Sequence, residues 1–228
     1  MRLTERVYLV GSGKSGADIS NPYDSHVYLI DGASSLALID AGVGIQPELI
    51  LENIHKEGFD PENISHIVVT HGHADQAGGA SALQTATGAD VLAPGPAATW
   101  LLEANEAAIS LPEARTGGTY PGDYRLAACA TARAISDGDE IKIGDVDLQT
   151  IATPGHAATH VSFLLHGDDR AVCLEAILFS MVGKSCCWPH QTAQFSNLCH
   201  RCSTLPTPRS KPCFRVMVLF RSTVAQST

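Results

Sequence analysis

A chain of 228 residues is long enough for one domain, or one domain with a tail, and can bury a sizeable core. Its formal net charge of −9 argues against a nucleic-acid surface, which needs a basic stripe, and no apolar run approaches the roughly 18 residues of a membrane span. The opening Met1-Arg2-Leu3-Thr4-Glu5-Arg6 lacks the apolar core and small-residue cleavage site of a secretory signal, so a cytoplasmic location is expected.

In chain order, Val7–Val10, His26–Ile30 and Leu36–Ile39 are short β-branched or aromatic runs separated by Gly and Asp, as strands require. Pro47 to Lys56 carries apolar residues at helical spacing (Leu49, Ile50, Ile54), and Gly58 follows as a stop. Ile67-Val68-Val69 reads as a buried strand, then Ala80–Thr87 and Ala97–Ala108 as helices. Glu140–Ile143 and Val146–Ile151 alternate around Gly144-Asp145, a hairpin signal, and Val161–Leu165 is a further strand. Residues 96 to 133 precede that hairpin as an insertion suited to shaping a pocket, with Tyr120, Tyr124 and Arg125 as candidate lining residues.

The composition then breaks. Up to Val172 there are nine Lys and Arg against 23 Asp and Glu; from Cys173 onward there are six basic residues and one acid, Glu175. Six of the seven cysteines (Cys173, Cys186, Cys187, Cys199, Cys202, Cys213) lie in that last quarter. Pro189, Pro206, Pro208 and Pro212 interrupt it, and Val216–Phe220 is its one convincing strand-like run. The chain is therefore read as a domain over residues 1–172 and an irregular Cys- and Arg-rich tail over 173–228.

The chemistry sits in His71-Gly72-His73-Ala74-Asp75-Gln76-Ala77-Gly78-Gly79, directly after the strand that ends near Thr70. A sharp loop at a strand end can aim His71 and His73 into one pocket, with Asp75 reaching a neighbouring position; zinc needs such converging neutral imidazoles. Gly78 and Gly79 would let the next helix start close to a metal. A His-x-His pair alone can equally be two surface residues. Thr153-Pro154-Gly155-His156, about 80 residues on and again closing a strand, supplies a third imidazole. Read by itself it is a Pro-Gly turn with an incidental histidine; the two features in this order point to a metal centre.

Together these segments resemble the metallo-β-lactamase superfamily, whose signature is His-x-His-x-Asp-His followed by Thr-Pro-Gly-His. The likeness runs over roughly residues 3 to 172, includes Leu38-Ile39-Asp40-Ala41-Gly42, and is nearest in flavour to the glyoxalase-II-like thioesterases. It implies an αββα sandwich, incomplete here at the C-terminus, with two zinc ions at one sheet edge and a small-molecule substrate. His71, His73 and His156 match the first zinc site, Asp75 a ligand of the second, and Asp40 an outer acid near the site, although Asp40 could simply end its strand in a turn. The implied reaction is attack of metal-bound hydroxide on an ester, thioester or amide carbonyl, with Asp75 orienting the nucleophile or holding the second metal, then helping to protonate the leaving group.

Two departures follow. Gln76 stands where the family usually has histidine, and an amide oxygen is the weaker zinc ligand. The bridging aspartate of a Gly-Asp segment is missing: the region reads Cys173-Leu174-Glu175-Ala176-Ile177-Leu178-Phe179, where Glu175 is the replacement candidate. His190 and His200 are the remaining candidates for the last metal-site histidine, and neither follows an expected strand. One zinc per chain is accordingly expected here. A frameshift near residue 173 accounts for both the compositional break and the missing ligands. Reading the last base of each codon with the first two of the next, from Val172 to Ser185, permits Leu-Phe-Gly-Gly-Asp-Ile-Ile-Phe-Tyr-Gly-Gly-Lys-Ile. On this reading Cys199-His200-Arg201-Cys202 is an out-of-frame product and not a zinc knuckle. The alternative to an enzyme is a non-catalytic remnant that binds one zinc or none.

Overall fold

The computed structural model describes residues 1–166, together with the backbone of two short strands, Ala171–Leu174 and Phe214–Arg215. In chain order the elements are β1 (Val7–Gly11), β2 (Val27–Asp31), β3 (Leu36–Ile39), α1 (Pro47–Lys56), β4 (Ile64–Val68), α2 (Ala74–Ala77), α3 (Ala80–Thr87), β5 (Asp90–Pro94), α4 (Ala97–Glu103), α5 (Leu111–Thr116), β6 (Arg133–Ile135), β7 (Glu140–Ile143), β8 (Val146–Ala152), β9 (Val161–His166), β10 (Ala171–Leu174) and β11 (Phe214–Arg215). Short 3₁₀ turns occupy Pro61–Asn63 and Glu106–Ile109.

Among the described residues the strands make two sheets, one in the order β1-β2-β3-β4-β5-β6 and one in the order β11-β10-β9-β8-β7. The first opens as an antiparallel β1-β2-β3 meander and continues with parallel β3, β4, β5 and β6. Parallel neighbours cannot be joined by a tight turn, so α1, α3 and α4 carry the crossovers. The second sheet is an antiparallel meander from β7 to β10, closed by a two-residue parallel pairing with β11.

Strand chemistry explains the layering. Along β1, Val7 and Leu9 enter the core between the sheets, whereas Tyr8 and Val10 enter the core under the helices. Tyr28 and Ile30 alternate with Val27 and Leu29 in the same way, as do Ala37 and Ile39 with Leu36 and Leu38. A sheet covered on both faces needs continuous apolar runs, and these strands have them. β7 is covered on one face, so Ile141 and Ile143 point inward while Glu140 and Lys142 stay exposed. Helix, sheet and sheet thus form three layers of the αββα sandwich; the fourth, helical layer is not among the described residues. None of the described helices is long and apolar enough to cross a membrane.

α1 shows how sequence sets position. Pro47 suits the first turn, where its missing N–H costs nothing, and Ile50 and Ile54 bury one stripe. The Asn53 amide then donates to the carbonyls of Val10 (2.9 Å) and Ile19 (2.8 Å), fastening the helix to β1 and the loop behind it. The helix expected to run from Ala97 to Ala108 instead stops at Glu103. Ala104 turns left-handed (φ +49°), and the Asn105 side chain accepts from the Ala108 N–H (3.2 Å), starting a separate 3₁₀ turn. Asn competes for backbone donors in this way, and an Ala-rich run hides the break. The strand expected at Ile67–Val69 starts earlier, at Ile64, directly after the Pro61 turn. Val216–Phe220, the tail cysteines outside β10, His190, His200 and Glu175 lie outside the described residues.

Candidate metal centre

β4 and β8 end at the same edge of the sandwich, although they belong to different sheets. The two edges touch through the backbone, where the Val161 N–H donates to the Thr70 carbonyl (3.0 Å). His71 and His73 leave the end of β4, and His156 leaves the end of β8. His71 Nε2 lies 3.1 Å from His73 Nδ1, which lies 3.1 Å from His156 Nε2. All three nitrogens fall within 4.8 Å of one another, and the rings stand edge-on at 79–90°. A tetrahedral ion bound at about 2.0–2.1 Å spaces its nitrogen ligands about 3.3 Å apart, so these atoms fit a shared cation.

The surroundings favour the neutral imidazole, the form that can ligate. Burial pushes His71 well below the usual histidine range, helped by His160, His73 and His156 around it. Burial likewise lowers His73, and lowers His156, where nearby Asp75 opposes the shift. Asp75 opens α2 beside this group without joining it: its carboxylate is not among the converging ligand atoms. Its pKa is raised, chiefly by burial, against its own backbone N–H, His156 and the Tyr120 hydroxyl, all of which favour the anion.

Asp40 is fully buried and left-handed (φ +63°) just after β3. Its carboxylate accepts the Thr70 N–H (2.8 Å) and the Thr70 hydroxyl (2.9 Å), and that hydroxyl lies 3.1 Å from His71 Nδ1. Asp40 therefore reaches His71 only through Thr70. Gln76 is also buried; its amide nitrogen donates to Ser25 Oγ (2.9 Å), while Oε1 has no hydrogen-bond partner among the described residues. A cleft of about 190 Å³ opens at His73 and Asp75, walled by Ile109, Leu111, Thr119 and Tyr120.

The description of one protein family, the metallo-beta-lactamase superfamily, matches residues 20–173. The chain belongs to that superfamily. A hydroxyacylglutathione hydrolase of Rhodopseudomonas palustris (strain BisB18) is 32% identical over 162 residues, covering 69% of this chain and 49% of that protein. The thioesterase pkgB of Emericella nidulans is 28% identical over 145 residues, covering 64% of this chain and 33% of its own. The chain thus spans about half the length, or less, of these relatives. Among solved structures, a Cronobacter sakazakii metallo-beta-lactamase with a HARLDQ motif superposes with TM-score 0.59 at 25% identity, over 76% of this chain and 62% of that one. BJP-1, a subclass B3 metallo-beta-lactamase of Bradyrhizobium japonicum, gives TM-score 0.62 at 24% identity, over 86% and 72%.

Of the residues singled out by resemblance to the superfamily, the fold brings His71, His73 and His156 together, sets Asp75 and Gln76 on the adjoining turn, and buries Asp40 behind Thr70. Of the candidate lining residues, Tyr120 walls the cleft, Tyr124 is buried with its hydroxyl donating to the Val43 carbonyl (2.8 Å), and Arg125 is exposed, donating to the carbonyls of Gly122 and Tyr124. Sequence reasoning did not single out three contributors. His160 is 2% exposed, its ring 5.1 Å from that of His71, with Nδ1 2.8 Å from Thr153 Oγ1 and a pKa pushed by burial to about 4. Its signal was its position four residues after His156, at the mouth of β9. Thr70 could have been found as the polar end of an apolar strand; Ser25 carried no signal.

Gly78 and Gly79 precede α3 and also serve the packing. A Cβ on Gly79 would fall on the Ala41 carbonyl oxygen, and one on Gly78 on the Tyr124 hydroxyl and the Val43 carbonyl. They admit the loop after β3, which carries Asp40. Gly79→Ala is expected to cost about 1–3 kcal/mol, because the obstacle is backbone and cannot swing away. Urea denaturation checks this; an unchanged midpoint would show that the loop yields freely.

Proposed function

We propose that the chain is a zinc-dependent hydrolase acting on an ester, thioester or amide carbonyl of a small molecule. The observation that carries the reading is the convergence of three neutral imidazoles at the joined ends of β4 and β8. His71, His73 and His156 would hold the ion. Zinc at such a site supplies Lewis acidity that makes water nucleophilic near neutral pH and polarises a carbonyl. The chain's own residues do the rest. Thr70, itself held by Asp40, orients the His71 ring, which is how outer groups tune a ligand. Asp75, at the mouth of the cleft, orients the attacking water and takes its proton for delivery to the leaving group. The thioester end of the range is favoured by the names of the relatives, a hydroxyacylglutathione hydrolase and a thioesterase.

Residues 1–172 would carry the histidine centre and residues 173–228 would form the tail, with β10 crossing that boundary and Phe214–Arg215 pairing with it. A second zinc would draw on Asp75 and on Gln76, whose buried Oε1 is the amide atom left available once Nε2 is bonded to Ser25. Glu175 would be the bridging acid. Because that acid departs from the superfamily's aspartate, one zinc is the expected content. The same departure favours a second reading, a non-catalytic remnant. Elemental analysis and thioester hydrolysis together separate them: bound zinc with turnover supports the enzyme, and zinc or none without turnover supports the remnant.

Gln76→His is expected to raise second-site occupancy, since imidazole is the better zinc ligand. Calorimetric zinc titration reads this directly. Identical stoichiometry and affinity would mean that Gln76 does not serve the metals.

A further inference from the structure

The cleft beside Asp75 bears on what the acyl group is. Its deep wall is apolar: Ile109 and Leu111 are buried, and the half-buried Tyr120 closes one side. Tyr120 is one member of a run of three rings. Its centroid lies 5.5 Å from that of Tyr124 and 6.0 Å from that of Tyr23, at interplanar angles of 41° and 54°. These are distances at which aromatic pairs attract. Tyr23, 40% exposed, packs against Tyr120 from outside the residues that wall the cleft.

The wall is set before any ligand arrives. The Tyr120 hydroxyl is bonded to Asp75, and the Tyr124 hydroxyl donates to the Val43 carbonyl (2.8 Å). Fixed rings lose little freedom when they bind. Charge narrows the choice further. Among the described residues no Lys or Arg lines the cleft. Of the two nearby arginines, Arg115 is held by Glu106 (2.8 Å) and the Tyr124 carbonyl (2.9 Å), and Arg125 by the carbonyls of Gly122 and Tyr124. The 23 acids against nine bases up to Val172 repel anions as well. Size agrees, because a 150 Å³ apolar cavity takes benzene, and a cleft of about 190 Å³ leaves room for one ring and its link.

We infer that the cleft receives a neutral acyl group bearing a single aromatic ring, which stacks against Tyr120. The inference rests on the hydrolase reading for calling the ligand an acyl group, and on the wall alone for the ring.

The test is binding, read by ligand-observed NMR on the zinc-loaded full chain. The probes are N-methylphenylacetamide, its cyclohexyl counterpart and S-lactoylglutathione. The phenyl probe is expected to bind roughly three- to tenfold more tightly than the cyclohexyl one, the range that a stacked pair supplies, and S-lactoylglutathione most weakly. Tyr120→Ala should erase most of that preference while leaving zinc content unchanged. Tyr120→Phe, which keeps the ring, should retain the preference. Equal binding of the two neutral probes, no binding of either, or a preference untouched by Tyr120→Ala would overturn the inference. Ester and thioester turnover is scored separately: its absence would overturn the hydrolase reading and leave the ring preference standing.

Discussion

Substituting His156 with alanine is expected to abolish the proposed zinc binding, and His71→Ala is expected to do the same with a further loss of stability. Each change leaves two imidazoles where three converge, and no other ligand among the described residues completes the set. Removing an outer partner alone typically weakens a metal 10- to 100-fold, and removing a direct ligand should exceed that. The two variants differ in their side effects. His156 is exposed, so its loss leaves the fold intact; His71 is fully buried, and its loss also opens a void beside His160. Elemental analysis after dialysis, with circular dichroism as the control, checks both. Undiminished zinc in the two variants would remove the centre from these residues.

If residues 173–228 are out of frame, restoring the alternative reading frame near codon 173 is expected to convert a poorly soluble chain with little or no turnover into one with a second zinc and measurable ester or thioester hydrolysis. By resemblance to the superfamily the site would take a bridging acid from the segment after β9, and the alternative frame permits Gly-Asp there, the aspartate falling across the Ala176 and Ile177 codons. The sheet has a stake as well. β10 pairs with β9 over four residues but with β11 over only two, so its outer edge has little backbone cover from the described strands. As translated, the segment after residue 173 is expected to be cut quickly by protease. Sequencing the coding DNA across codons 165–190 and limited proteolysis of both forms decide the matter. An as-translated protein that is soluble, resists cleavage past residue 173 and turns over efficiently would sink the frameshift, leaving Glu175 as the bridging ligand.

The legible parts of this fold were those where one local signal sufficed. α1 was readable from Pro47 to Lys56 because proline marks its start, Gly58 follows its end, and Ile50 and Ile54 stand one turn apart. The hairpin of β7 and β8 was readable because Gly144-Asp145 separates two alternating runs. β5 and β6 were not singled out: β5 is buried but ends in Pro94, and β6 is three residues long with Arg133 exposed. The site divides in the same way. His71, His73 and His156 could be found because each closes a strand in its own short motif. Thr70, Ser25 and His160 matter through contacts across 30, 51 and 89 residues of chain (to Asp40, Gln76 and His71), which no local pattern reports.

The placement of the three histidines also has a consequence for folding. Two come from one sheet and the third from the other, across 83 residues of intervening chain. A cation held between them is therefore a cross-link that exists only when both sheets are docked, and its binding free energy adds to the cohesion of the sandwich. The backbone contact from Val161 to Thr70 brings the two edges to the right separation without it, so the ion would act less as an organiser of the fold than as a clasp on one already closed. Loss of metal would then be felt first as faster parting of the sheets at this edge, on the side where the cleft opens.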